Sequence, residues 1–167
     1  MSSKTKKLTF LSIMTAFALV LSYLETLLPP IYAAVPGVKI GLPNLVIIFM
    51  LYKFSFKHAA MVSGVRLLMV ALLFGNAMTL LYSVAGAVLS LLVMFVLKKT
   101  KLFSMVAVSI TGAVFHNLGQ IIVAVIVLKT VEIGFYMPVL AVSGILAGIA
   151  VGLLAMIILK KTEKLRF

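Results

Sequence analysis

The 167 residues are 64% hydrophobic and only 11% charged, with a mean hydropathy of +1.30, more apolar surface than a single soluble core of this size could hide. The chain therefore reads as an integral membrane protein. Its 15 Lys and Arg against three acidic residues give a formal charge of +12, which in a soluble protein would point to nucleic acid and here is explained by membrane topology, while the lack of Cys excludes disulfides, thiolate metal sites and a Cys nucleophile.

Met1 to Lys7 is a short basic lead, and residues 8–28 form a first apolar span ending at Pro29-Pro30. A signal peptide would have a shorter apolar core and a small-residue cleavage site, so this span is expected to be a transmembrane helix. The loop that follows, 31–42, is rich in Pro and Gly. Pro43 suits the first turn of a second helix, 43–54. At about 1.5 Å per residue that helix is too short to span alone, so it either extends back into the loop or sits in a recess. A third helix, 57–74, contains Arg66. A Gly75-Asn76 break leads into a fourth, 77–97, which ends at the basic turn Lys98-Lys99-Thr100-Lys101. The fifth runs over 102–128 and the sixth over 136–159, followed by a charged tail. The expected architecture is an all-α bundle of six membrane helices with no separate soluble domain.

Threading those spans leaves twelve Lys and Arg on the side of the N-terminus, two (Lys39 and Lys129) on the other, and Arg66 within a span. The positive-inside rule then places both termini in the cytoplasm, with the chain in the plasma membrane. With sides assigned, the polar residues can be ordered by depth. Glu25 closes the first helix near the outer surface, Lys39 and Asn44 belong to the outer loop and the start of the second helix, and Asn76 and Tyr82 flank the outer turn between helices three and four. His116, Asn117 and Gln120 lie in the outer half of the fifth helix. On a helix their i, i+3 and i, i+4 spacings put them on one face, where a single ligand could meet all three; interhelical hydrogen bonding is the alternative use. Arg66 lies near the bilayer centre or somewhat outside it, where a charge costs roughly 2.5–3.5 kcal/mol unless it meets a counter-ion, backbone carbonyls or water. Two readings of it stay open: a structural pair with Glu25, or, with Lys39 and His116, a receptor for an anionic or strongly polar ligand. Tyr23, Tyr32, Tyr82 and Tyr136 suit interfacial anchoring, and one or two could stack on an aromatic substrate.

Small residues recur at i, i+4: Ser12 with Ala16 and Ala18 with Ser22 in the first helix, Gly144, Gly148 and Gly152 in the sixth. Such surfaces serve close packing within the bundle or docking of another membrane subunit. Several chemistries are set aside. The chain has no G-x-x-x-x-G-K-[S/T] loop and no H-E-x-x-H. Two isolated histidines make a metal centre unexpected. It has no Asp at all, and three scattered Glu residues cannot cluster to hold Mg²⁺ against a diphosphate. No catalytic role is expected.

Pro36-Gly37-Val38-Lys39-Ile40-Gly41-Leu42-Pro43-Asn44, Arg66 with Leu72-Leu73-Phe74-Gly75, Tyr82-Ser83-Val84-Ala85-Gly86 and His116-Asn117-Leu118-Gly119-Gln120 together resemble the Gx transporter family, often labelled heptaprenyl diphosphate synthase component I. That family is similar to the substrate-binding S components of energy-coupling factor (ECF) transporters. These have six helices, capture a vitamin-like solute near the outer face, and couple through small residues of the first helix to a transmembrane T subunit and two ATPases. The resemblance implies that Ser12, Ala16 and Ala18 face a T subunit and that ATP is used only by partner ATPases. A polyprenyl synthase of the usual kind is a soluble helical protein with aspartate-rich motifs, and this chain has neither property. The expected function is thus a substrate-binding subunit with Glu25, Lys39, Asn44, Arg66, Asn76, Tyr82, His116, Asn117 and Gln120 as candidate solute contacts and loop 31–42 as a lid. The alternative is a membrane-embedded accessory subunit of a polyprenyl diphosphate synthase or quinone-precursor pathway.

Overall fold

A computed structural model of the chain describes residues 3–27 and 41–162. It comprises α1 (Ser3–Leu27), α2 (Asn44–Lys53), α3 (Phe56–Leu73), α4 (Ala77–Thr100), α5 (Met105–Leu128) and α6 (Met137–Lys161), with a 3₁₀ turn at Val131–Tyr136 ahead of α6. No strand occurs among the described residues. Among the described residues five helices are long and apolar enough to cross a membrane, and α2 is not. Leu72 is 77% exposed, Ile126 68% and Leu146 64%. Apolar exposure on that scale over several helices suits a hydrocarbon surrounding and would be an aggregation liability in water. The chain is membrane-embedded.

Of the two expectations for α2, the recess is the one realised. Ten residues reach only ~15 Å, and Val46 to Leu51 are all at most 4% exposed. A helix that is apolar on every side needs neighbours on every side. α2 has them in α6, α3 and α1, and its side chains form the main core with Leu11, Ala18, Val62, Met94, Val108 and Ala155. Its last turn is tied to two other helices. Lys98 Nζ donates to the Leu51 carbonyl at 2.6 Å and lies 5.0 Å from the centre of the Tyr52 ring, while Lys53 Nζ donates to the Thr162 carbonyl at 2.7 Å.

The other helix boundaries differ from the sequence reading for local reasons. α4 runs on to Thr100, because Lys98 and Lys99 fall in its last turn, where a cation complements the exposed carbonyls. Lys101, at φ 58°, then closes the helix in the left-handed conformation. α5 starts at Met105 rather than 102, since the Ser104 hydroxyl accepts from the Ala107 N–H at 3.2 Å and caps the first turn. At the start of α4 the Asn76 side chain accepts from the Thr79 N–H at 2.8 Å and the Thr79 hydroxyl accepts from the Asn76 N–H at 2.9 Å, a reciprocal cap.

α5 is the central strut, packed along its length on α4 and α6. Apart from Gly119, its buried residues fall into two adjacent i, i+4 rows. Val108, Gly112, His116, Gln120 and Ala124 form one, and Ser109, Ala113, Asn117 and Ile121 the other. Gly144, Gly148 and Gly152 of α6 lie against the second row: a Cβ on Gly144 would come 3.1 Å from Asn117 Nδ2, one on Gly148 3.1 Å from the Ser109 carbonyl and one on Gly152 2.9 Å from Ser109 Cβ. The i, i+4 glycines of the sixth helix therefore serve close packing within the bundle.

Candidate functional site

Buried polar side chains gather in two groups. The first joins α1, α3 and the chain leading into α2. On α3, residues Ala59, Val62, Ser63, Arg66, Leu67 and Val70 make one buried stripe at helical spacing, so Arg66 points inward and is only 7% exposed. Its Nη1 donates to the Ser22 hydroxyl at 3.2 Å, and Ser22 in turn donates to the Ala18 carbonyl at 2.9 Å. Arg66 Nε has no hydrogen-bond partner among the described residues.

Glu25, one turn beyond Ser22, turns towards the entry of α2. Its Oε1 accepts from the Gly41 N–H and from the Leu42 N–H at 3.3 Å. Gly41 holds φ +88°, a backbone conformation that costs glycine nothing and other residues a good deal. This turn delivers Pro43 to the N-cap of α2. A carboxylate at that point meets the partial positive charge of the helix N-terminus, and its own charge acts on Arg66. Arg66 thus bonds Ser22, and the Glu25 carboxylate, which binds the Gly41 and Leu42 N–H groups, bears a charge that favours the Arg66 cation. Glu25→Gln keeps an acceptor for the two N–H groups and removes the charge. It is expected to lower stability by about 2 kcal/mol, the scale of a hydrogen bond to a charged group, and thermal unfolding in detergent checks this. Stability unchanged from that of the wild type would mean that the carboxylate's charge supports neither the α2 entry nor Arg66.

The second group lies between α4 and α5. A Cβ on Gly86 would fall 2.8 Å from the His116 carbonyl, 3.1 Å from the His116 ring and 3.1 Å from Gln120 Cγ, so the missing side chain at 86 lets both residues lie against α4. Gln120 is 1% exposed, and neither Oε1 nor Nε2 of its carboxamide has a hydrogen-bond partner among the described residues. Asn117 does something else. It belongs to the adjacent row and donates through Nδ2 to the Leu140 carbonyl of α6 at 2.8 Å. The three polar residues of α5 therefore do not converge on one partner: His116 and Gln120 face α4, and Asn117 ties α5 to α6.

The remaining candidates are dispersed. Tyr82 is buried with Ile121, Ala124, Ile133 and Leu140. Asn44 opens α2 and borders, with Gly41, Ser109 and Gly112, a void of only ≈ 10 Å³, room for about one water. Asn76 is exposed, and its side chain caps α4. On α1, Ser12 and Ala16 are exposed, but Ala18 has 0% exposure and sits in the core, where no docking subunit can reach it. Lys39 and the greater part of the 31–42 lid lie outside the described residues.

Two buried hydroxyls escaped the sequence reading as site residues. Ser22 lies i−3 from Glu25, a spacing that puts both on one face of α1 and would have linked it to the acidic residue. Ser90 is 1% exposed with an unpartnered hydroxyl among the described residues, and a lone Ser in an apolar span carries no signal that would single it out. Among the described residues no three His, Asp or Glu side chains gather. What the arrangement offers is hydrogen bonding: a carboxamide with both a donor and an acceptor to give, and an Arg N–H.

A family model described as heptaprenyl diphosphate synthase component I matches residues 14–158. No curated protein and no solved structure matches.

Proposed function

The chain belongs to the heptaprenyl diphosphate synthase component I family, and from that premise we propose that it is the substrate-binding membrane subunit of an ECF-type uptake transporter. The observation that carries this reading is Gln120. A buried carboxamide left without partners costs on the order of 1–3 kcal/mol, and buried polar groups are otherwise almost always paired. A residue retained at that cost is suited to a guest that supplies the missing bonds. Arg66, with its Nε unpartnered among the described residues, adds a second donor. A solute with an amide-bearing group would satisfy the Gln120 carboxamide, and an anionic group would suit the Arg66 donor. α2 supports the same reading by its shortness: at ~15 Å it fills only part of the bundle's length, and its N-terminal end, held by Glu25, forms the floor of the proposed site. Both termini face the cytoplasm of a cell whose plasma membrane holds the protein, and the solute enters from the opposite side. The exposed pair Ser12 and Ala16 faces a T subunit, and ATP is consumed by the partner ATPases alone. The chain itself is not an enzyme.

The test is native mass spectrometry on protein extracted gently from its own membranes, read for retained small molecules and for bound subunits. A T subunit with ATPases, together with a small polar ligand that Arg66→Ala releases from a folded protein, is the expected result. A prenyl synthase partner with no small molecule in the bundle would favour the accessory-subunit reading, which the family description itself suggests.

A further inference from the structure

We propose that the cleft between the C-terminal ends of α2 and α6 binds the phosphate of an anionic phospholipid headgroup. The cleft has a volume of ≈ 330 Å³ and is lined by Tyr52, Lys53, Met156, Leu159 and Lys160, within the size range of small-molecule sites. Two helix ends meet here, and their free carbonyls carry about half a negative charge each, which by itself repels an anion. The lysines reverse that sign. Lys53 bonds the Thr162 carbonyl and Lys98 the Leu51 carbonyl, each through an ammonium with three donors. With Lys160 and Lys161 in the last turn of α6, four cations stand against the two helix ends. Of the acidic residues, Glu25 acts at the other end of α2, Glu132 belongs to the 3₁₀ turn ahead of α6, and Glu163 lies outside the described residues.

An ordinary interfacial lysine snorkels freely and leaves no shaped space beneath it. Lys53 differs: its ammonium is fixed across two helices, and the neighbouring Tyr52 ring is held under Lys98. Such preorganisation lowers the cost of ordering a bound headgroup. Met156 and Leu159 supply an apolar wall along which acyl chains can run. A positive, partly apolar recess at the basic end of a membrane bundle is the chemistry that recognises lipid phosphates.

The experiment is native mass spectrometry of the full chain titrated with phosphatidylglycerol or phosphatidylcholine, alongside thermal unfolding with added inorganic phosphate. The wild type is expected to retain phosphatidylglycerol in preference to phosphatidylcholine. Lys53→Gln/Lys160→Gln is expected to weaken that retention roughly tenfold or more, and a control pair outside the cleft lining, Lys99→Gln/Lys101→Gln, to keep it. Lys160→Gln alone, at an exposed position, reads the same loss if the double variant fails to fold. Equal losses in the cleft and control variants, or undiminished retention in both cleft variants, would overturn the proposal. Stabilisation by inorganic phosphate that the cleft variants abolish, without any preference between the two lipids, would overturn the lipid assignment in favour of a soluble phosphate.

Discussion

Replacing Gln120 with Leu is expected to raise the stability of the solute-free protein and to remove solute binding, two effects of opposite sign from one substitution. Gln120 is 1% exposed with both polar atoms of its carboxamide unpartnered among the described residues, and removing such a group recovers a desolvation cost of about 1–3 kcal/mol. Leu has a similar volume and no polar atoms, so little is lost in packing against Gly86. Bound solute, by contrast, would lose two hydrogen bonds, and an affinity drop of roughly 10- to 100-fold is expected. Thermal unfolding with and without the native ligand, plus a binding isotherm, reads both. A variant that is less stable than the wild type and binds the solute equally well would show that Gln120 holds the bundle together and that the site lies elsewhere.

The second large effect is expected at Gly148. A Cβ there would meet Ile110 Cα at 2.5 Å, Ile110 N at 3.0 Å and the Ser109 carbonyl at 3.1 Å. All three are backbone atoms, which cannot rotate aside, so α6 must move away from α5. Gly148→Ala is expected to cost ~3 kcal/mol, the upper part of the range for overpacking, and Gly148→Val to prevent a stable fold. Movement of α6 would also strain the Asn117 bond to the Leu140 carbonyl. Two other glycines frame the prediction. At Gly112 the close atoms are the Met94 Cγ and Sδ, a flexible side chain that can adapt, so Ala there is expected to cost less. At Gly64 nothing lies within 4 Å, and Ala is expected to stabilise α3 by about 0.5–1 kcal/mol through helix propensity. Midpoints of thermal unfolding for the three alanine variants should therefore rank Gly64 above Gly112 above Gly148. A Gly148→Ala protein as stable as Gly64→Ala would contradict the close α5–α6 packing.

Much of the fold was legible because hydrocarbon length is a linear property of sequence. The five spans, the brevity of α2 and the break at Gly75-Asn76 follow from runs of apolar residues and the punctuation between them. The helix ends were less legible, since Lys98 and Lys99 read as a turn and became the last turn of α4 once their charges could sit on its carbonyls. The candidate site was legible in residue types and not in grouping. Arg66, His116, Asn117 and Gln120 stand out in any apolar run, and all four are buried. Yet Asn117 is turned to α6 while its neighbour His116 is turned to α4, because consecutive residues on a helix point about 100° apart.

By itself, the sequence determined that this chain is a membrane-embedded helical bundle, how many long spans it has, and which few polar residues its interior must accommodate. Only the tertiary structure decided which face of each helix is turned inward. A soluble helix announces its inner face by an apolar stripe, whereas helices surrounded by lipid are apolar all round, and the stripe disappears. Hence Ala18 went to the core and Ala16 to the surface, Glu25 to the start of α2, and Asn76 to a helix cap. Each placement was settled by which neighbour offered a close-packing surface or a hydrogen-bond partner.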